Sequence, residues 1–131
     1  MGERVLTVAN STSTGRTVRV YAFCTRSNGP INYPAGAVTI VAININNETA
    51  SVTINLNGAQ PSAHDDYLLT APDNVMNSTS ILLNGQLLEL GPGASLPTFT
   101  PNTVDAGTPI SLPALTYGLF VFKDAAAPAC L

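Results

Sequence analysis

The apolar residues of this chain gather in short runs separated by turn residues. The first long run is 17–24, Thr-Val-Arg-Val-Tyr-Ala-Phe-Cys, rich in β-branched and aromatic side chains. In a strand, alternation sends Val18, Val20, Ala22 and Cys24 to one face and Thr17, Arg19, Tyr21 and Phe23 to the other. The first set reads as core. The second, two aromatics beside an arginine, lies either beneath a loop of the same domain or against something else. Residues 37–44, Ala-Val-Thr-Ile-Val-Ala-Ile-Asn, are apolar nearly throughout, as in a strand covered on both sides. Residues 51–57 alternate, with Val52, Ile54 and Leu56 inward, and are expected to pair antiparallel with the strand before them. Shorter candidates lie at 4–8, 65–70 and 109–112. The last, 117–123, Tyr-Gly-Leu-Phe-Val-Phe-Lys, is apolar on both faces.

Residues 80–90 read as a hairpin, because Ile81-Leu-Leu83 and Leu87-Leu88-Glu89-Leu90 flank Asn84-Gly85. A type I′ turn needs positive φ at both central residues, which Asn-Gly tolerates. Turns or loops are expected at 10–15, 25–34, 44–49, 58–64 and 71–79. Residues 91–107, with Pro92, Pro97 and Pro101, read as a long irregular connection, either functional or laid over a neighbouring surface. The Ala/Pro tail at 124–131 is expected to order only if something holds it. These elements make about eight or nine short strands without a helix, and an antiparallel β-sandwich closes them most naturally.

A length of 131 residues predicts a single domain over 1–131, large enough to bury a real core. With 45% hydrophobic and 10% charged residues, the chain is not of the disordered class. Four of the five basic residues (Arg4, Arg16, Arg19 and Arg26) fall in the first 26 positions, but no two adjoin. They read as scattered solvated arginines rather than a patch for an acidic glycan, and nothing could neutralise a row of phosphates, so no nucleic-acid partner is expected. No apolar run reaches the roughly 20 residues of a membrane span. Met1-Gly2-Glu3-Arg4 does not lead into an apolar leader, while Asn10, Asn47 and Asn77 each head an Asn-x-Ser/Thr sequon for N-glycosylation. A piece of a longer secreted chain is expected, with a free-standing cytosolic protein as the alternative.

Candidate chemistry is sparse. Cys24 and Cys130 can make one bond, and a structural disulfide or a pair of buried thiols both fit. A structural zinc site wants four ligands and a redox pair is usually Cys-x-x-Cys, so neither pattern is present. The one histidine, His64, reads as a solvated loop residue. Asp65 and Asp66 are the only adjacent carboxylates. On a strand they point to opposite faces and cannot flank one bond, so they read as turn and edge charges. Glu48 and Glu89 have no visible partner. No nucleophile elbow or phosphate loop occurs. No catalytic residue, cofactor or metal is expected. Tryptophan is absent and four Tyr with four Phe are a thin supply for stacking sugars.

An ordered set of segments resembles the C-terminal β-domain of the heparanase-like glycoside hydrolases, the β-glucuronidase group that includes animal heparanase. It comprises Arg19-Val-Tyr-Ala-Phe-Cys24, Val38-Thr-Ile-Val-Ala-Ile-Asn44 with the Asn47 sequon, Asp66-Tyr-Leu-Leu-Thr70, and Ile81-Leu-Leu-Asn-Gly85. It continues through Leu96-Pro97, Leu112-Pro113 and 117–122 to Pro128-Ala-Cys-Leu131. The resemblance implies that Cys24 and Cys130 are the disulfide partners. It implies a β-sandwich packed against a catalytic (β/α)8 barrel, whose two glutamates act as acid/base and nucleophile in a retaining mechanism. A barrel takes about 250 residues, so those glutamates match no position here and this chain alone is not expected to cleave a glycosidic bond. The implied partner is the barrel of the same parent enzyme, with a glycan as a second candidate. The implied setting is secreted, extracellular or lysosomal. Where animal heparanase is basic, this chain reads Ser11-Thr-Ser-Thr-Gly-Arg16, so a less charged glucuronide is as good a parent substrate as heparan sulfate. A stand-alone secreted glycan-binding or adhesion module is the alternative.

Overall fold

Four runs with enough apolar residues to be buried become the four longest strands, and they lie side by side. A computed structural model describes residues 2–9, 17–28, 31–56 and 62–131. The turn expected at 10–15, Arg16 and the Asn10 sequon lie outside the described residues. Among those described there are ten strands: β1 Val5–Leu6, β2 Val18–Cys24, β3 Val38–Asn44, β4 Ala50–Val52, β5 His64–Thr70, β6 Leu82–Leu83, β7 Gln86–Leu87, β8 Asn102–Val104, β9 Ile110–Leu112 and β10 Thr116–Phe122. One sheet runs β1-β2-β3-β10-β5-β6-β7, with β8 also on β5, and β4 pairs with β9 in a second sheet. Every pairing is antiparallel. The all-β antiparallel architecture expected from the sequence is the one found.

Register settles which face is core. Ala22 opposes Ile40, Ile40 opposes Phe120, and Phe122 lies between Val38 and His64. These side chains share the inner face of the large sheet with Val18 and Ala42, and they form one cluster with Val52, Ile110 and Leu112 of the second sheet. Phe120, Phe122, Ile110 and Leu112 are fully buried, each worth about 1.5–3 kcal/mol relative to exposure. Gly118 lacks a side chain for a visible reason: a Cβ there would stand 2.7 Å from the Phe120 ring.

Two expectations about pairing change. The described part of the 51–57 run, residues 51–56, does not pair with β3, because β2 and β10 already occupy both of its edges. The run crosses instead to the second layer, where β4 pairs with β9 and Ile54 and Leu56 pack on the core. Residues 91–107 are not wholly irregular. β6 covers only Leu69 and Thr70 of β5, and β8 takes the same edge at His64–Asp66. Asn-Thr-Val carries no hydrophobic alternation, so the pattern could not announce it. The 80–90 hairpin forms as expected, with φ of 49° at Asn84 and 82° at Gly85.

Two asparagines fasten these pieces. The buried Asn44 Nδ2 donates toward the carbonyls of Glu48 (2.8 Å), Leu112 (3.0 Å) and Pro113 (2.9 Å), and its Oδ1 accepts from the Asn46 N–H at 3.0 Å. It thereby ties the β3–β4 turn to the β9–β10 corner. Asn84 accepts from the Leu68 N–H (2.9 Å) and donates to the carbonyls of Asp66 (2.9 Å) and Thr100 (3.0 Å), hooking the hairpin and the following loop onto β5. Asn44→Ala leaves buried carbonyls without a donor and is predicted to lower the unfolding free energy by about 1–3 kcal/mol in urea titrations, whereas exposed Asn47→Ala stays within about 0.5 kcal/mol.

Candidate functional site

The end of the sheet formed by Cys24, Val38, Phe122 and His64 is cross-linked. Cys24 and Cys130 form a disulfide with Cα atoms 5.2 Å apart and a sequence separation of 106. The tail expected to need holding is held by more than this bond. Ala127 N–H donates to the Gly36 carbonyl (2.9 Å), Gly36 N–H to the Cys130 carbonyl (3.0 Å), and Arg4 Nη1 to the Ala129 carbonyl (2.7 Å). Gly36 sits at φ 84° with Ala126 Cα 3.2 Å from where a Cβ would be, so any side chain there would be strained and crowded against the tail. Arg4 and Arg26 line an open depression of about 450 Å³ beside the disulfide, shared with Glu3. Arg19 lies elsewhere, on the outer face of β2, so the described arginines do not form one patch.

The second group of polar residues is on β5. The three polar residues at its start are not loop and edge groups, as their sequence suggested. His64 is the first residue of the strand and is only 1% exposed. Its ring stacks on Phe122 with centroids 4.9 Å apart and meets Phe120 edge-on at 6.4 Å. Aligning His64-Asp-Asp with the alternation of β10 would have revealed it; the residue types alone point to solvent. Asp65 is buried on the opposite, outer face. It accepts from Thr103 Oγ1 (2.8 Å), Lys123 Nζ (3.0 Å) and Tyr33 Oη (3.1 Å), and the Tyr33 and Tyr67 hydroxyls lie 2.7 Å apart. Burial by itself would raise the Asp65 carboxyl, but the three donors and the Lys123 charge hold it below its ordinary value. Tyr33 is pushed well above its ordinary value, by burial first and then by its contacts with Tyr67 and Asp65. Asp66 returns to the inner face, its Oδ1 3.2 Å from His64 Nε2. Asp65 and Asp66 therefore point to opposite faces, as strand geometry requires, and cannot flank a glycosidic bond.

The outer face of the large sheet is half covered. Cross-strand rows read Phe23–Thr39–Val121–Asp65, Tyr21–Val41–Leu119–Tyr67 and Arg19–Ile43–Tyr117–Leu69. At the β5 side, Tyr33, Ala37, Tyr67, Leu83 and Val121 form a small second core. Toward β2 and β3 the cover ends. Val41, Ile43 and Leu119 are only half-buried, and Tyr21 and Tyr117 are each 43% exposed. The Tyr21 side of β2 is thus not closed over by the described part of this chain.

The sequon residues Asn47 and Asn77 are exposed, in the β3–β4 turn and in the loop that follows β5. Both loops lie at the end of the sheet that carries Asn44, Thr70 and Thr116, opposite the disulfide. Among the described residues no group of three or more His, Cys, Asp or Glu could hold a metal ion, and no helix is long and apolar enough to cross a membrane.

Substitutions at the disulfide and at Asp65 test this covalent and polar framework. Replacing Cys24 and Cys130 together by serine lowers stability by about 2–5 kcal/mol in urea and opens the tail to carboxypeptidase. Asp65, held low in the fold, adds stability that is present above its unfolded pKa and lost as pH falls through the folded one. Asp65→Asn is therefore less stable than the parent at neutral pH, and its unfolding midpoint falls less steeply in acid, below about pH 4.

No family model matches the chain. Among known proteins it is 34% identical to heparanase of Gallus gallus over 133 residues, covering 100% of this chain and 25% of that protein. It is 37% identical to heparanase of Mus musculus over 119 residues, covering 87% of this chain and 21% of that protein. It is 33% identical to a hyaluronoglucuronidase of Hirudo nipponia, covering 99% of this chain and 26% of that protein. An endoxylanase from Clostridium papyrosolvens superposes with a TM-score of 0.41 at 21% identity, over 84% of this chain and 21% of that one. The chain spans about a quarter of the length of the curated relatives it matches. The heparanase and hyaluronoglucuronidase matches, with the all-β fold, show that the chain resembles a β-domain of the heparanase-like glycoside hydrolases.

Proposed function

We propose that this chain is the non-catalytic C-terminal β-sandwich of a heparanase-like β-glucuronidase that acts on glucuronide-containing glycans. Its task is to pack against the catalytic (β/α)8 barrel of the same protein and stabilise it. The observation that carries this reading is the stretch of the outer face left open among the described residues, where Tyr21, Val41, Ile43, Leu119 and Tyr117 lie in adjacent cross-strand rows. An apolar stretch left exposed on a sheet marks a surface that another body covers. The partial coverage of the relatives supports a second body within the same parent chain.

The test is Val41→Asp in the parent protein. A charge placed in a buried interface leaves it unpaired. The expected result is a marked loss of folded, active enzyme, while the 131-residue chain carrying the same substitution still folds, with a much smaller drop in melting temperature. Unchanged activity and melting of the parent would contradict the docking role. The secreted or lysosomal setting is tested separately. Protein made through a secretory pathway should carry glycan mass at Asn47 and Asn77, lost in Asn47→Gln and Asn77→Gln, and unmodified asparagines at both would contradict that setting.

A further inference from the structure

His64 and Asp66 sit two residues apart on the inner face of β5, next to the aromatic core. His64 Nε2 and Asp66 Oδ1 are 3.2 Å apart. Neither makes a directed hydrogen bond, nor do His64 Nδ1 and the buried Ser62 Oγ, among the described residues. A buried imidazole nitrogen and a carboxylate oxygen at this distance repel through their lone pairs if neither is protonated. If both are protonated, an imidazolium is left in an apolar site with no counter-charge. One proton for the two groups avoids both penalties.

We propose that His64 and Asp66 hold a single proton between them, and that Asp66 thereby lets the fold keep a buried histidine through mild acidification. The surroundings isolate the pair. β10 presents Phe120 and Phe122 to it, and β8 places Asn102 and Val104 opposite Asp66 and His64. Asp105, next along from Val104, is exposed. Asp65 is the neighbouring charge, but it lies on the other face and is bound by Lys123. Besides His64, the buried polar and charged side chains among the described residues are Thr39, Asn44, Asp65 and Thr116, of which only Asp65 titrates.

The titration directions agree with this geometry. Burial lowers His64, with the Ser62 backbone and the Asp65 charge working the other way. Burial pushes Asp66 up to about 7, with Asp65 adding to the shift. Lowered His64 taken alone gives stability that is full above its unfolded value of 6.5 and lost as pH falls. Raised Asp66 taken alone gives stability that is full below its unfolded value of 3.8 and lost as pH rises through about 7. Between 3.8 and 6.5 the two slopes oppose each other, since unfolded and folded chains each carry one proton on the two residues.

The experiment is urea unfolding of the parent chain, Asp66→Asn and His64→Gln at about pH 4.5, 5.5 and 6.5, which spans the interval between ordinary carboxylate and imidazole titration. Relative to the parent, Asp66→Asn should lose about tenfold in folding constant per pH unit of acidification, and His64→Gln should gain about tenfold. Slopes for either variant that match the parent would overturn the proposal. If either variant fails to fold, nitrogen NMR of the parent His64 ring decides. A ring that does not titrate across this range supports the shared proton, and a full titration near the ordinary histidine value overturns it.

Discussion

The fold depends on β10 lying between β3 and β5. Antiparallel pairing on both edges places Phe120 and Phe122 on one face, against Ile40, Val38 and the second sheet, and Leu119 and Val121 on the other. A strand apolar on both sides can occupy only such a central position. Once it does, β2 must take the far edge of β3, β5 must take the far edge of β10, and residues 51–56 are excluded from the sheet that their alternation suggests. The disulfide and the tail then tie the end of β10 to the start of β3 and the end of β2, while Asn44 fastens the other end of the sheet to the second layer.

That arrangement gives the domain two unlike faces. The inner face is closed by β4 and β9. Among the described residues the outer face is closed only toward β5, where the Asp65–Tyr33–Tyr67 network lies under Leu83 and its neighbours. The apolar row through Tyr21, Val41 and Leu119 is left open beside it. An unfinished apolar face is what a structural partner of a second body would present, and it is the observation behind the reading proposed above.

Much of this was legible in the sequence. The alternation of 17–24 correctly placed Val18, Ala22 and Cys24 inside, and Asn84-Gly85 correctly marked a turn, because both signals are local. Three features were not local. The partner of β4 depends on edges filled by strands from elsewhere in the chain. β8 is three residues without a hydrophobic pattern, and it forms because β5 has a vacant half-edge. His64 is buried because Phe122 lies opposite it, a register that only pairing reveals. The one histidine and the adjacent aspartates thus looked like solvent-facing groups when they are parts of the interior.

The central claim is that the open part of the outer face is covered in the parent protein, and hydroxyl-radical footprinting of Tyr21 and Tyr117 tests it most directly. The account predicts that both tyrosines are modified readily in the isolated chain and protected when it is part of the parent. Equal reactivity in the two contexts would contradict it.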